Sequence, residues 1–312
     1  MFWIITFSVI SFLILASLLA SCIIFFKIFY SFRKPAVEFP TPEGAIYDPY
    51  RNQMIQWIKE IREMEHRDVS ITSHDGLRLC GKYYEYKKGA PIEILFHGYK
   101  GCAEQDLSGS IYRCYTLGHS ALIVDHRASG ASEGRVITFG AKESLDCVDW
   151  VNFVINNINP DAKIVITGIS MGAATVMTAS SLPLPKNVVG VIADCGYTST
   201  KEIIIKVMND MKLPGKFLYH FARLGAIIFG GFDPDKRSPI KSMANCTLPI
   251  VFFHGDADDF VPCSMSKDNY NTCISKDRTL VISPGAGHGL CFLTDMDTFF
   301  KVLTDYFARV FK

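Results

Sequence analysis

The 312-residue chain carries almost no net charge: 32 Lys and Arg against 31 Asp and Glu leave +1. With no general basic field, nucleic acid is not an expected partner, because that affinity rests on clustered Lys and Arg neutralising phosphates. Low charge together with 49% hydrophobic residues also excludes a disordered chain. Ten cysteines are present, yet no Cys-x-x-Cys pair occurs and no His/Cys spacing matches a zinc site, so no metal is expected. Disulfide-stapled scaffolds are short, whereas a chain this long builds its own core. Its thiols read as small buried hydrophobes. Internal repeats are absent.

Charge is missing altogether from residues 1–26, where only Thr6, Ser8, Ser11, Ser17 and Ser21 interrupt the apolar side chains. As a helix this run would reach about 39 Å, more than the ~30 Å hydrocarbon core of a bilayer. No basic residue precedes it, and it is longer than a signal-peptide core. Residues 1–30 therefore read as a transmembrane anchor, with Trp3 suited to one interface and Phe29 and Tyr30 to the other. Leu19-Ala20-Ser21-Cys22 has the form of a bacterial lipobox, but Ile23, Ile24, Phe25 and Phe26 carry the apolar run past it. Lys27, Arg33 and Lys34 follow the span, and the positive-inside rule then puts the remainder on the cytoplasmic side. Unpaired cysteines suit that compartment.

Residues 31–67 read as a linker, punctuated by Pro35, Pro40 and Pro42, and an amphipathic helix. In that helix Met54, Trp57, Ile58, Ile61 and Met64 recur at helical spacing. The main domain is expected over 68–312. It opens on a hairpin of 69–73 and 77–86 turned by Asp75-Gly76. Short apolar runs at 92–96, 121–124, 164–167, 188–193, 250–253 and 279–282 then alternate with helical patterns near 107–117, 142–158, 171–182, 265–274 and 295–311. Near-continuous apolar strands alternating with helices imply a parallel sheet covered on both faces. About fifty residues between the fourth and fifth of these runs, roughly 197–247, break the rhythm. A structureless loop of that length is uncommon, so a helical lid is expected there; an insertion that only buries surface is the alternative.

Gly168-Ile169-Ser170-Met171-Gly172 follows an apolar strand and opens an Ala-rich helix. Strand, tight turn and helix together are the setting of a nucleophile elbow. Serine needs a base to take its proton, and the base needs a carboxylate to orient it. Such elbows are followed along the chain by the acid and then the histidine. His288, in Gly287-His288-Gly289 after the last strand, is the base of choice. His254 precedes the acid segment and reads as structural; His97 reads as a loop-shaping residue. For the acid, Asp258 is preferred within His254-Gly255-Asp256-Ala257-Asp258-Asp259, with Asp256 the nearer alternative and Asp259 behind it. Asp194 is a further alternative, and Cys195 beside it lacks an elbow. The oxyanion donors are expected to be the backbone N–H of Met171 and, from the loop His97-Gly98-Tyr99, that of Tyr99.

Taken with Asp125-His126-Arg127-Ala128-Ser129-Gly130-Ala131-Ser132, these motifs make the chain from about Asp68 onward resemble the α/β-hydrolases, and within them the serine aminopeptidase-like hydrolases. The resemblance implies an α/β-hydrolase fold with a mostly parallel eight-stranded sheet and a helical lid after the sixth strand. It also implies a Ser170, Asp258 and His288 triad, and no cofactor. Ala128 departs from the family's D-x-R-G-x-G-x-S loop, which has glycine there. Relatives of this kind include esterases, lipases, thioesterases, peptidases and acyltransferases, so the fold alone does not choose a substrate. Apolar lid and anchor favour a small lipophilic ester or acyl substrate; peptidase, acyltransferase and membrane-tethered binding protein are the competing readings.

Overall fold

Apolar five-residue runs with no polar face need cover on both sides, and the sheet is built that way. The computed structural model describes residues 2–33 and 37–311; Lys34 of the basic flank and Pro35 of the linker lie outside the described residues. Helix α1 (Phe2–Ile28) leads by an irregular segment to α2 (Arg51–Glu63) and the antiparallel pair β1 (Arg67–Thr72) and β2 (Arg78–Tyr84). Then come β3 (Ile92–Phe96), α3 (Ala103–Thr116), β4 (Ser120–Val124), α4 (Glu143–Phe153), β5 (Ile164–Ile169), α5 (Met171–Ala179) and β6 (Val188–Asp194). An insertion of α6 (Thr200–Asp210), α7 (Gly215–Gly230) and α8 (Pro239–Met243) precedes β7 (Ile250–Gly255). The chain closes through α9 (Cys263–Thr272), β8 (Arg278–Ser283), α10 (Cys291–Thr294) and α11 (Met296–Val310).

The eight strands lie in the order β1-β2-β4-β3-β5-β6-β7-β8, antiparallel at β1-β2 and β2-β4 and parallel from β4 onward. Alternation sorts their side chains into two cores. Ile94, Phe96, Ile164, Ile166, Val191 and Phe252 meet α4 and α5 on one face, through Trp150, Val151 and Val176. Val165, Ile192, Val251 and Phe253 meet α11 on the other, through Phe299, Leu303 and Tyr306, and Leu95 and Ile123 meet α3 beside them. The α/β-hydrolase architecture expected from the sequence, with eight strands and helices inserted after the sixth, is the architecture found. The insertion, however, packs on the end of α1, and no residue of 197–247 lines the cleft beside Ser170, where the lid was expected. From β3 the chain steps outward to β4 and then returns past β3 to β5 and β6, so the strand order reverses between β3 and β5. Open α/β sheets bind ligands in the crevice at the carboxyl ends of strands flanking such a reversal.

The first segment differs in part from the expectation of a free anchor. Residues 2–16 are almost all exposed, although Ile10, Leu13, Ile14, Ser17 and Leu18 border a crevice with Leu224 of α7. Phe25 and Phe29 are buried in a cluster with Tyr219, Ala222 and Ala226 of α7, and Ser21 is buried beside Gly225. Phe29, assigned above to a membrane interface, is fully buried between Phe139 and Phe232. Burying two phenylalanines contributes about 1.5–3 kcal/mol each, enough to hold the helix end in place. The close approach needs a missing side chain: a Cβ on Gly225 would overlap the Ser21 carbonyl oxygen. Beyond the helix, Ser31 N–H donates to the Arg135 carbonyl and Ile137 N–H to that of Phe29, extending the seam. Helix α2 packs on the domain through Met54, Trp57, Ile58 and Ile61.

Candidate active site

The turn after β5 is strained where the candidate nucleophile sits. Ser170 has φ 56 and ψ −115, a region costing a non-glycine residue about 1–3 kcal/mol. Its two glycine neighbours make the turn sterically feasible. A Cβ on Gly168 would overlap the backbone of Gly172, and one on Gly172 would overlap the Phe96 carbonyl oxygen at the end of β3. Ser170 N–H is fixed by the Asp194 carbonyl at 2.8 Å. The result aims Oγ across the carboxyl ends of the strands, with the N-terminus of α5 beneath it.

Three residues distant in sequence meet there. His288 Nε2 lies 2.9 Å from Ser170 Oγ, and His288 Nδ1 lies 2.7 Å from Asp258 Oδ2. Asp258 Oδ1 accepts the backbone N–H groups of Phe260 at 2.9 Å and Val261 at 2.8 Å. Burial opposes ionisation of this carboxyl, but hydrogen bonds from His254, His288 and Val261 outweigh it and hold its pKa well below the usual carboxylate range. The neighbouring acids are elsewhere. Asp256 accepts Gly285 N–H at 2.6 Å, which shapes the loop leading to His288, and Asp259 is exposed. Asp194 is buried with one oxygen unpartnered, and burial pushes its pKa up to about 6.

The other histidines near the cleft are spoken for. His254 is fully buried, with Nδ1 2.6 Å from Ser266 Oγ and Nε2 2.8 Å from the Val261 carbonyl. His97 Nε2 accepts His126 N–H at 3.0 Å, so its Nδ1 donates to the Gly98 carbonyl at 2.7 Å; His126 Nε2 donates to the His97 carbonyl at 3.1 Å. This pair clamps the loop after β3 against the elbow, where a Cβ on Gly98 would stand 3.5 Å from Ser170 Cβ. Tyr99 follows in that loop, and Met171 is the first residue of α5, whose N–H has no acceptor within its helix. In the adjoining loop Ala128 keeps a left-handed φ of 65, so the turn survives the loss of glycine with strain in its place. Asp125 ties that loop by accepting the N–H groups of Ala103 and Ala131, both at 2.9 Å.

A cavity of about 1350 Å³ opens beside Ser170 and His288. That exceeds the roughly 300–1,000 Å³ of common small-molecule sites. Ile46, Trp57, Leu107, Ile169, Ile192 and Phe292 are among its apolar walls, and the buried Thr167 and Arg113 also line it. Thr167 Oγ1 and Arg113 Nη2 both donate to buried Glu93. Trp57 owes its position to Gly109, where a Cβ would come within 2.5 Å of the indole. Two contributions were invisible in the sequence. Tyr47, in the segment read as linker, donates its hydroxyl to the His288 carbonyl at 3.0 Å, and Phe260 packs edge-on against the imidazole at 5.1 Å between centroids. Tyr47 has no motif and Phe260 directly follows the acid segment; only the tertiary path aims either at the imidazole.

Among the described residues, Cys195, Asp258 and His288 lie close enough to share an ion, as do His74, Asp146 and Asp149. Burial pushes the Cys195 thiol well above its ordinary pKa, so it is a protonated thiol and a poor ligand or nucleophile. Asp146 is already bidentate to Arg127, at 2.7 and 2.5 Å. In each group at least one of the three residues is thus already committed elsewhere.

No family model matches the chain. The uncharacterized protein YqkD of Bacillus subtilis is 26% identical over 191 residues, covering 61% of this chain and 62% of that protein. The polyketide transferase ATR5 of Stachybotrys chlorohalonatus is 29% identical over 138 residues, 43% of this chain and 46% of that one. The chain thus spans less than two thirds of the length of both relatives. Among solved structures, the Pyrococcus furiosus esterase Pf2001 superposes with TM-score 0.67 at 22% identity, over 89% of this chain and 99% of that one. The acylaminoacyl peptidase of Pyrococcus horikoshii gives TM-score 0.58 at 19% identity, over 81% and 42%. These likenesses, with the strand order above, define the fold: it is that of the α/β-hydrolases.

Proposed function

We propose that the protein is a serine hydrolase that cleaves carboxylic esters of lipophilic acyl groups. The observation that carries the reading is the hydrogen-bonded line Asp258–His288–Ser170 at the wall of a large cavity whose apolar walls are interspersed with polar and charged residues. Ser170 Oγ attacks the ester carbonyl carbon as its proton passes to His288 Nε2. The Asp258 carboxylate keeps the other imidazole proton on Nδ1 and balances the imidazolium that forms. Negative charge on the carbonyl oxygen is met by the N–H groups of Met171 and Tyr99; loss of one such donor typically costs about 2.7–4 kcal/mol of transition-state stabilisation. Collapse expels the alcohol, which takes the proton from His288 and leaves an acyl group on Ser170. Water, activated by the same imidazole, then releases the acid. This chemistry requires no cofactor.

Helix α1 is long and apolar enough to cross a membrane. In this reading it anchors the enzyme, with the catalytic domain on the cytoplasmic side. A membrane-held enzyme whose cavity has apolar walls such as Ile46, Trp57 and Phe292 suits a substrate that partitions into lipid. Transfer of the acyl group to an acceptor other than water is the second reading, favoured by the likeness to a polyketide transferase. The test uses the full chain in detergent micelles with a fluorophosphonate probe, Ser170→Ala and a series of p-nitrophenyl esters set against aminoacyl amides. Labelling and ester turnover that both vanish in S170A are expected; labelling that survives S170A, or turnover of amides alone, would overturn the proposal.

A further inference from the structure

The insertion after β6 carries an apolar stripe that the domain does not cover. On α7, Phe217, Phe221, Leu224 and Ile228 recur at intervals of four, three and four residues and so share one side of the helix. Phe217 and Ile228 are 62% and 49% exposed, Phe221 and Leu224 half-buried. Lys216, His220 and Arg223 occupy a different arc, which also carries Ile227 and on which Arg223 is paired to Asp233 and Asp235. Tyr219, Ala222 and Ala226 face the core. A helix with an exposed apolar side that carries aromatic residues, flanked by a polar side, has the pattern of an element lying in a membrane interface.

The stripe is continuous with the apolar surface of α1. Leu224 shares a crevice with Ile10, Leu13, Ile14, Ser17 and Leu18, Gly225 touches the Ser21 backbone, and Phe229 packs on Phe25 at 5.8 Å. The largely exposed part of α1, residues 2–20, is about 28 Å long, close to the ~30 Å hydrocarbon core. If those residues cross the bilayer, α7 meets the domain-proximal half of the span through Leu224 and the residues after it through Gly225 and Phe229, at and just below the membrane surface. The cavity runs the same way: Tyr30, Phe32, Val37 and Phe39, just past the end of α1, line it together with Ser170.

We propose that α7 is a second membrane-contacting element, its Phe217–Ile228 stripe set into the bilayer surface beside α1, so that the cavity mouth takes lipophilic esters directly from the lipid. The inference rests on the membrane-anchored hydrolase reading above. Its test uses the full chain in phosphatidylcholine vesicles doped with a diazirine-bearing phospholipid, the crosslinked peptides being mapped by mass spectrometry. Crosslinks on α1 and on the peptide spanning Phe217 to Ile228 are expected. Crosslinks on α1 alone, or on neither helix, would overturn the proposal. A double variant, Phe217→Glu with Ile228→Glu, adds a functional readout. Turnover of an ester dissolved in the vesicles should fall about tenfold or more, while that of a water-soluble short-chain ester stays within twofold. Equal effects on both substrates would overturn it. Should the unmodified chain turn over neither ester, the Ser170 chemistry fails, and the crosslink map still decides the place of α7.

Discussion

Replacing Asp258 by Asn tests the reasoning at its narrowest point, because the two oxygens of this carboxylate have different partners. Oδ1 accepts two backbone N–H groups, from Phe260 and Val261. In D258N the amide oxygen must take that position, since an NH2 there would face two donors. The amide nitrogen then meets His288 Nδ1 at the 2.7 Å now held by Oδ2 and can only donate to it. His288 is forced into the tautomer with its proton on Nε2, which turns the group 2.9 Å from Ser170 Oγ from acceptor into donor. The base is lost without any displacement of heavy atoms. A tautomer error of this kind lowers kcat by about 10⁴, or roughly 5.5 kcal/mol at 1.36 kcal/mol per decade. Steady-state hydrolysis of p-nitrophenyl butyrate by the full chain, with circular dichroism as a check on folding, measures it. KM should stay within a few-fold of the parent, and Asp259→Asn should retain near-full activity. A D258N enzyme within tenfold of the parent, with Asp194→Asn inactive, would refute the argument and move the acid to Asp194.

Two further outcomes follow from packing and burial. Gly172→Ala would drive a methyl into the Phe96 carbonyl and should cost about 3 kcal/mol or more, several degrees of Tm by scanning fluorimetry; an unchanged Tm would mean the elbow is looser than described. Asp194→Asn probes pH. Burial raises the Asp194 pKa from 3.8 to about 6, so the folded state holds this proton more tightly than the unfolded one. Stability from that proton is complete below about pH 4 and is lost as pH rises toward 6, a loss on the order of 3 kcal/mol at 1.36 kcal/mol per unit. The variant should therefore melt higher than the parent above pH 6 and equally near pH 4, and a pH-independent difference would exclude the buried carboxyl as its source.

What could be read from the chain was what is local. The run 164–167, the Gly-x-Ser-x-Gly turn and the helix after it lie within a few residues of one another, and steric rules alone forecast their shape. Strand identities followed equally well, since β3 and β4 are buried on both faces and cannot be mistaken for surface. The choice among Asp256, Asp258 and Asp259 rested on turn geometry, and only folding brings one of them within 2.7 Å of His288. The segment 37–50 was opaque: proline and glycine marked it as irregular, and nothing in its composition announces that Tyr47 reaches a residue 241 positions away. The docked end of α1 was equally hidden, because Phe25 and Phe29 look no different in sequence from the lipid-facing phenylalanines before them.

The Tyr99 hydroxyl donates to the Ile28 carbonyl at 2.6 Å, at the very end of the first helix. Anyone trimming the hydrophobic leader to obtain a water-soluble protein meets a consequence of that bond. Cutting at residue 67 would strip Ile46 and Tyr47 from the catalytic cleft and leave a largely buried phenol without its acceptor, a penalty of about 1–3 kcal/mol. A cut near Ser21 would keep the bond, the phenylalanine plug and the roof of the cleft, and so makes the better starting point for crystals or kinetics.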